Sequence, residues 1–213
     1  MEFVSYSEAW AALQQQGLEE AERTETELHL ALRETPQVVV IDVAASDHRL
    51  AASLPPEVRR VPRAAIPVIV EGIVHKLGLD PVLVIPVGRW RSVFEAVSTG
   101  MAHSEAWKAI DQMASVELNT RDPLMLGPTD HHSLGELLRV LLTDGTKDIQ
   151  GISVAAPGSS MLIEVLPSGQ MIIFLGNAHL AAQAREVIDQ AAAKGGSTPS
   201  PLSAKKAPQR PHS

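Results

Sequence analysis

The chain has 213 residues, a net charge of −7 at pH 7, 45% hydrophobic residues, 3% aromatic residues and no cysteine. The hydrophobic fraction is too high for a disordered chain, and 14 glycines are far too few for a collagen-like one. The absence of cysteine excludes disulfides, zinc–thiolate and iron–sulfur sites, and a cysteine nucleophile. We therefore predict a protein with a hydrophobic core, organised as one domain with appendages or as two small domains.

The sequence contains no pattern that predicts export or membrane insertion. Residues 1–6 lack a basic segment followed by an apolar one, which is the pattern of a signal peptide. The longest apolar stretch, residues 64–70, contains Pro67 and is far shorter than the roughly 18 residues that a membrane-spanning helix requires. We expect a cytoplasmic protein that does not contact a membrane.

Residues 1–34 are acidic, because they contain eight glutamates and two arginines. Ser5 and Glu8 have the spacing of a capping box, which predicts a helix over about residues 6–16. Gly17 follows this helix and favours the left-handed conformation that ends it.

The segment after Gly17 is ambiguous between helix and strand. Leu28, Leu30 and Leu32 alternate as in a strand, but Leu28 and Leu32 also share one face of a helix, and we predict a helix. We therefore interpret residues 1–34 as an acidic, helical N-terminal segment. We expect its apolar side chains to cover the sheet, because exposed leucines would need another cover.

Residues 35–194 have the pattern of an α/β domain. The continuous β-branched run at 38–43 is typical of a strand covered on both faces, so we place it at the centre of the sheet. A helix with Pro67 in its first turn and Gly78 at its end follows. Together with a strand at 82–87, these elements predict a strand–helix–strand unit with a right-handed crossover.

The rest of this domain alternates helices with short strands. Capping residues predict three more helices, which begin near Ser92, Ser133 and Asn177. We expect the first of them to be interrupted near Gly100 and to restart at Ser104. Three short strands separated by turn sequences are predicted at residues 151–156, 161–166 and 171–175. The predicted fold is α/β or α+β, with a mixed sheet, an early strand–helix–strand unit, a C-terminal three-stranded antiparallel meander and helices on both faces.

Residues 195–213 are rich in glycine, proline and serine and contain almost no large apolar side chain. This composition cannot offset the entropy lost on ordering, so we predict a disordered tail. Its three basic side chains are too few, and the whole chain is too acidic, to indicate nucleic-acid binding.

The segment Gly88-Arg89-Trp90-Arg91-Ser92 connects a predicted strand to the start of a helix, where backbone N–H groups and the helix dipole favour an anion. Further arginines in the long connection 44–63 would enlarge this site if the connection folded over the same edge. We predict an anion-binding site from Arg89, Arg91, Ser92, Arg59, Arg60 and Arg63. The alternative is that these arginines are solvated and that Trp90 packs in the core.

Asp42 lies at the end of a predicted strand, where open α/β sheets place ligands and catalytic carboxylates. Asp47 and His48 follow on the connection, so the three side chains are candidates for acid–base chemistry if they converge. The alternative is that Asp42 caps the strand end or pairs with an arginine.

The triplet Asp130-His131-His132 resembles the signature of the DHH phosphoesterases. Here it precedes a helix, and adjacent helical residues point about 100° apart, so the two histidines cannot easily share a metal. The other acidic motifs of such enzymes are missing. Phosphate-binding loops of the GxGxxG or GxxxxGK[ST] type and a Gly-x-Ser-x-Gly elbow are also missing, and we predict no metal site and no cofactor.

No motif in the sequence identifies an activity. We expect a non-catalytic binding or regulatory protein that acts through contacts with another protein or with a second copy of itself. The alternative is an enzyme or ligand-binding module for a phosphorylated or carboxylate small molecule at the sheet edge of Asp42, Arg89 and Arg91. The two hypotheses differ in whether these side chains meet in one pocket.

Overall fold

The structure is a computed structural model that describes residues 1–45, 57–117 and 121–195. These residues form the helices α1 (Tyr6–Gln15), α2 (Ala65–Lys76), α3 (Trp90–Val97), α4 (Glu105–Glu117), α5 (His131–Asp144) and α6 (Ala178–Gly195). They also form the strands β1 (Glu2–Phe3), β2 (Leu18–Arg23), β3 (Leu28–Leu32), β4 (Val39–Ala45), β5 (Val58–Val61), β6 (Val82–Pro86), β7 (Leu124–Leu126), β8 (Ile152–Ala155), β9 (Met161–Val165) and β10 (Gln170–Leu175).

Eight strands form one mixed sheet in the order β1-β7-β6-β8-β9-β10-β4-β5. Neighbouring strands are antiparallel except β4 and β5, which are parallel. Strands β8, β9 and β10 form a meander whose two tight turns contain Gly158 and Gly169, both with positive φ. Strands β2 and β3 form a separate antiparallel hairpin.

The two faces of the sheet have different covers. Helices α2 to α6 lie on one face and form the larger core with it, including the fully buried Trp90. Helix α1 and the β2–β3 hairpin lie on the other face and pack against Leu83, Ile85, Ala155 and Leu162. The expectation that the apolar side chains of the N-terminal segment cover the sheet is therefore confirmed.

The observed architecture confirms the predicted fold class, because the sheet is mixed, the C-terminal strands form an antiparallel meander and helices lie on both faces. Among the described residues, no helix combines the length and the apolar composition needed to cross a membrane. The predicted tail lies outside the described residues, apart from Gly195 at the end of α6.

The helix predicted at residues 28–32 is wrong, because these residues form strand β3. Leu28, Leu30 and Leu32 are buried against the sheet, while the residues between them are half-buried. Pairing with β2 also satisfies the backbone of β3. This tertiary context outweighs the weak local preference for a helix.

The central position predicted for residues 38–43 is also wrong. Strand β4 is second from one end of the sheet, and Val40 is 41% exposed. The strands with every residue buried are β6, β8 and β9. Strands β4 and β6 are not neighbours, because the meander lies between them, and the parallel partner of β4 is β5.

The predicted capping residues have different outcomes. Asn177 caps α6, because its Oδ1 accepts a hydrogen bond from the backbone N–H of Leu180 at 2.9 Å. Ser5 precedes α1 without a side-chain cap. Helices α3 and α5 begin two residues before Ser92 and Ser133, so these serines lie inside the first turn.

Candidate functional site

An open pocket of ≈470 Å³ lies between the turn of the β2–β3 hairpin, the loop after β6, the segment before β7 and the start of α1. Small-molecule sites in proteins have volumes of roughly 300–1,000 Å³. The pocket contains three arginines and is lined by Tyr6, Arg23, Thr24, Glu25, Arg89 and Arg121. Its positive side chains make it a candidate site for an anion.

Backbone hydrogen bonds fix the walls of this pocket. The N–H of Leu28 in β3 donates to the carbonyl of Val87 at 2.7 Å, which joins the hairpin to the loop after β6. In the same loop, the N–H of Gly88 donates to the carbonyl of Ile149 at 3.0 Å. Segments that are distant in sequence are thus held together at the pocket.

Gly88 is required by close packing of the backbone. A Cβ atom at this position would lie 2.4 Å from the carbonyl oxygen of Ile149, which is far too close for any contact. The carbonyl of Gly88 accepts a hydrogen bond from Nε of Arg121 at 3.0 Å. The lone glycine therefore permits the loop position that holds one of the pocket arginines.

The half-buried Arg121 is held by backbone carbonyls rather than by a carboxylate. Besides the bond to Gly88, its Nη2 donates to the carbonyl of Glu25 at 3.4 Å. It forms no ion pair with any described residue. Burial lowers the pKa of Arg121, and the neighbouring charges of Arg23 and Arg89 lower it further. An anion in the pocket would stabilise this disfavoured positive charge.

Arg23 differs from Arg121 because a carboxylate neutralises its charge. Its Nη1 donates to Oε1 of Glu20 at 2.8 Å, and the hydroxyl of Tyr6 donates to the same oxygen at 2.9 Å. Burial and the adjacent Glu20 raise the pKa of Tyr6, so the phenol stays neutral. The ring of Tyr6 stacks on Trp10 with centroids 5.9 Å apart, which fixes this wall.

The two arginines on either side of Trp90 have different surroundings. Arg89 precedes α3 in an extended conformation and lines the pocket, and its side chain has no hydrogen-bond or ion-pair partner among the described residues. Arg91 is exposed and pairs with Glu95 at 3.1 Å, outside the pocket. Trp90 is buried and donates from Nε1 to the carbonyl of Asp122 at 2.7 Å. Ser92 does not line the pocket.

The structure does not bring Arg59, Arg60 and Arg63 to this pocket. Arg59 and Arg60 lie on β5, which is five strands away from β6. At a spacing of about 4.8 Å per strand, this separation is about 24 Å. Nε of Arg59 lies 3.9 Å from Oδ1 of Asp189, and Nη2 of Arg63 donates to the carbonyl of Pro167.

The proposed acid–base residues are also separate from the pocket. Asp42 lies on β4, four strands from β6, and its Oδ1 accepts a hydrogen bond from Nε2 of Gln170 at 3.3 Å. Asp47 and His48 lie outside the described residues. Asp42 therefore does not meet Arg89 or Arg91.

A second polar cluster joins the hairpin to the sheet. Nδ1 of His29 in β3 lies 3.0 Å from Oε2 of the buried Glu164 in β9, and Nε2 of His29 lies 3.6 Å from Glu27. Burial lowers the pKa of His29, but the two carboxylates outweigh this effect and raise it overall. Burial raises the pKa of Glu164. The cluster is a pH-sensitive contact that helps to position the hairpin.

Asp130 and His132 of the triplet at residues 130–132 contact different groups of the protein. Oδ2 of Asp130 accepts a hydrogen bond from the amino group of Met1 at 2.9 Å, and Nδ1 of His132 lies 3.0 Å from the carbonyl of Thr129. Across the described ranges, no group of three or more histidine, aspartate or glutamate side chains is arranged to hold a metal ion.

The anion site predicted from the sequence includes Arg89, which lines the pocket, but none of the other lining residues. Arg23 and Tyr6 belong to the N-terminal segment, and Arg121 follows α4, so no local motif joins them to Arg89. The isolated Gly88 was a usable signal, because a lone glycine after a buried strand often marks a close backbone approach.

No family model, curated protein or solved structure matches the chain. A function for this protein therefore has to be argued from the geometry and electrostatics of its own side chains.

Proposed function

We propose that this protein is a non-catalytic ligand-binding module that takes an anionic group in the pocket of Arg23, Arg89 and Arg121. The observation that carries this proposal is the environment of Arg121. Its guanidinium is half-buried, lies near two other arginines and has only backbone carbonyls as partners. An anion would relieve the repulsion between these charges.

The binding energy expected from such a pocket is substantial. A hydrogen bond between charged groups contributes about 1.5–3 kcal/mol. Loss of one guanidinium should therefore weaken binding by about ten- to a hundredfold. The position of Arg89 directly before α3 adds the favourable field of the helix N-terminus.

The proposal is tested by thermal-shift and calorimetric titration with phosphate, nucleotides and dicarboxylates at constant ionic strength. We expect stabilisation of the wild type by at least one anion, weakened binding in Arg89→Ala, and wild-type binding in Arg91→Ala. Arg91 is the matched control, because it is two residues away and its loss changes the net charge equally, but it lies outside the pocket. No anion binding, or equal loss in both variants, would contradict the proposal.

A second candidate function, contact between two copies of the chain, is favoured by partly exposed apolar side chains on strands β4 and β10. Val40 is 41% exposed there, and its neighbour across the strands, Phe174, is only half-buried. Exposed apolar surface on a sheet favours association. Sedimentation of the wild type and of Val40→Glu tests this idea. We expect a concentration-dependent dimer in the wild type that is lost in the variant. A monomer in both proteins would contradict the idea.

A further inference from the structure

The pocket has two positive charges without a carboxylate partner. Glu20 neutralises Arg23 at 2.8 Å, whereas Arg89 and Arg121 form no ion pair with a described residue. A monocarboxylate ligand would balance only one of these charges. A phosphate monoester carries about −1.5 to −2 at pH 7 and three acceptor oxygens, so it can balance both and accept hydrogen bonds from both guanidinium groups.

The pocket also contains an acceptor that an inorganic anion would not use. Glu25 lines the pocket, and its exposed side chain forms no ion pair or hydrogen bond with a described residue. A bare anion beside this carboxylate would be repelled, whereas a ligand hydroxyl would donate a hydrogen bond to it. The volume of ≈470 Å³ leaves room for more than a phosphate group.

We infer that the ligand is a phosphate monoester of a small hydroxylated molecule, with its phosphate between Arg89 and Arg121 and a hydroxyl on Glu25. This inference rests on the proposed anion-binding function and specifies its ligand. The selectivity comes from two opposite requirements in one pocket, a doubly charged group at one side and a hydrogen-bond donor at the other.

Calorimetric titration of the full chain with defined probes tests the inference. Glucose 6-phosphate is the test ligand, and glucose, gluconate, inorganic phosphate and sulfate are the comparison probes. We expect glucose 6-phosphate to bind at least tenfold more tightly than gluconate, inorganic phosphate or sulfate, and glucose not to bind.

The pH dependence separates a dianion from a monoanion. The second ionisation of a phosphate monoester has a pKa of about 6, so affinity for glucose 6-phosphate should fall about tenfold from pH 7 to pH 5. Sulfate stays a dianion over this range, so any change in its affinity measures the response of the protein alone. The affinity change for glucose 6-phosphate divided by that for sulfate gives the effect of phosphate protonation, without the contribution of protein groups such as His29.

Variants assign the two halves of the ligand to their residues. Arg121→Lys keeps the charge and loses the planar fork, and we expect about tenfold weaker binding of glucose 6-phosphate. Glu25→Gln should weaken the binding of glucose 6-phosphate and strengthen the binding of sulfate. Glu22→Gln is the matched control, because Glu22 is exposed on the same hairpin, lies outside the pocket and should leave both affinities unchanged.

The outcomes distinguish this inference from the proposed function. Equal affinity for gluconate and glucose 6-phosphate, or the same pH dependence for glucose 6-phosphate and sulfate, would overturn the inference and leave an anion site standing. Tighter binding of a phosphoserine peptide than of glucose 6-phosphate would overturn the small-molecule ligand. Absence of binding by every anion would overturn both proposals.

Discussion

Two arginine-rich regions lie on opposite sides of this molecule and differ in how their charges are compensated. In the pocket, Arg89 and Arg121 have no carboxylate partner among the described residues, and Arg121 carries a lowered pKa. At the β5 edge, Arg59 lies near Asp189, and Arg185 of α6 pairs with Glu57 at 2.6 Å. Arg59 and Arg185 therefore each have a carboxylate nearby, whereas Arg89 and Arg121 form no ion pair with a described residue.

The difference shows that clustering in sequence is a poor guide to a binding site. Arg59, Arg60 and Arg63 are close in sequence, but the first two lie on strand β5 and the third lies just before α2. Arg59 and Arg63 therefore contact different partners. The pocket arginines come from three separate segments. Burial, together with the nearby charges of Arg23 and Arg89, lowers the pKa of Arg121, which forms no ion pair with a described residue. A half-buried guanidinium that has no ion pair and lies next to other arginines is the better sign of an anion site.

The largest expected effect is that of Gly88→Ala, because the added Cβ would lie 2.4 Å from the backbone of Ile149. Overpacking of this kind destabilises by about 1–3 kcal/mol, and displacement of the loop should also abolish anion binding. Chemical denaturation and titration measure the two effects. Gly127→Ala is the control, because its nearest atom is 3.9 Å away, and wild-type behaviour in Gly88→Ala would show that the loop adapts.

The comparison between the two regions is tested directly by Arg89→Ala and Arg60→Ala. Both changes remove one exposed arginine and the same charge, but only Arg89 lines the pocket. We expect a ten- to hundredfold loss of anion affinity in the first variant, about 1.4–2.8 kcal/mol, and less than twofold in the second. Similar losses would mean that the overall field, rather than the pocket, attracts the anion.

A pH effect on stability is expected at the hairpin that carries Arg23. The raised pKa of His29 means that its contribution to stability is full below its ordinary value of 6.5 and is lost as pH rises through the folded pKa. The pKa of Glu164 is raised by burial and also by the nearby Asp148. The contribution of Glu164 to stability is therefore full below its ordinary value of 4.5 and is also lost as pH rises through the folded pKa.

We therefore expect the free energy of unfolding to fall by on the order of 1 kcal/mol as pH rises from 6.5 to 8.5. Denaturant unfolding across this range measures the slope. His29→Gln should remove the slope, while Arg60→Ala should keep it. A slope that persists in His29→Gln would assign the effect to other groups.

The smallest expected effect is that of Arg185→Ala at the β5 edge. Its pair with Glu57 has side chains 32% and 44% exposed, and such pairs contribute about 0.2–1 kcal/mol. Thermal unfolding should show this small loss of stability. High salt should reduce the contribution of the ion pair in the wild type. Anion titration should be unchanged, and weaker binding in this variant would link the two regions.

Local sequence signals predicted elements whose boundaries depend on short-range chemistry. The helix before Gly17, the helix ended by Gly78 and the helix capped by Asn177 all form, because left-handed glycines and an N-cap act within a few residues. The three strands of the meander form for the same reason, since turn sequences separate them. The alternation of leucines in β3 was also visible, but pairing with β2 was needed to decide for a strand.

The sequence by itself determined the cysteine-free composition with enough apolar residues for a core, the mixed α/β class and the placement of Arg89 after a buried strand. Only the tertiary structure decided the strand order, the position of β4 second from one end of the sheet and the approach of Arg23 and Arg121 to Arg89. The physical reason is that these features depend on contacts between residues far apart in the chain. Such contacts form through shared burial and backbone pairing across the sheet, and no local periodicity encodes which segments meet.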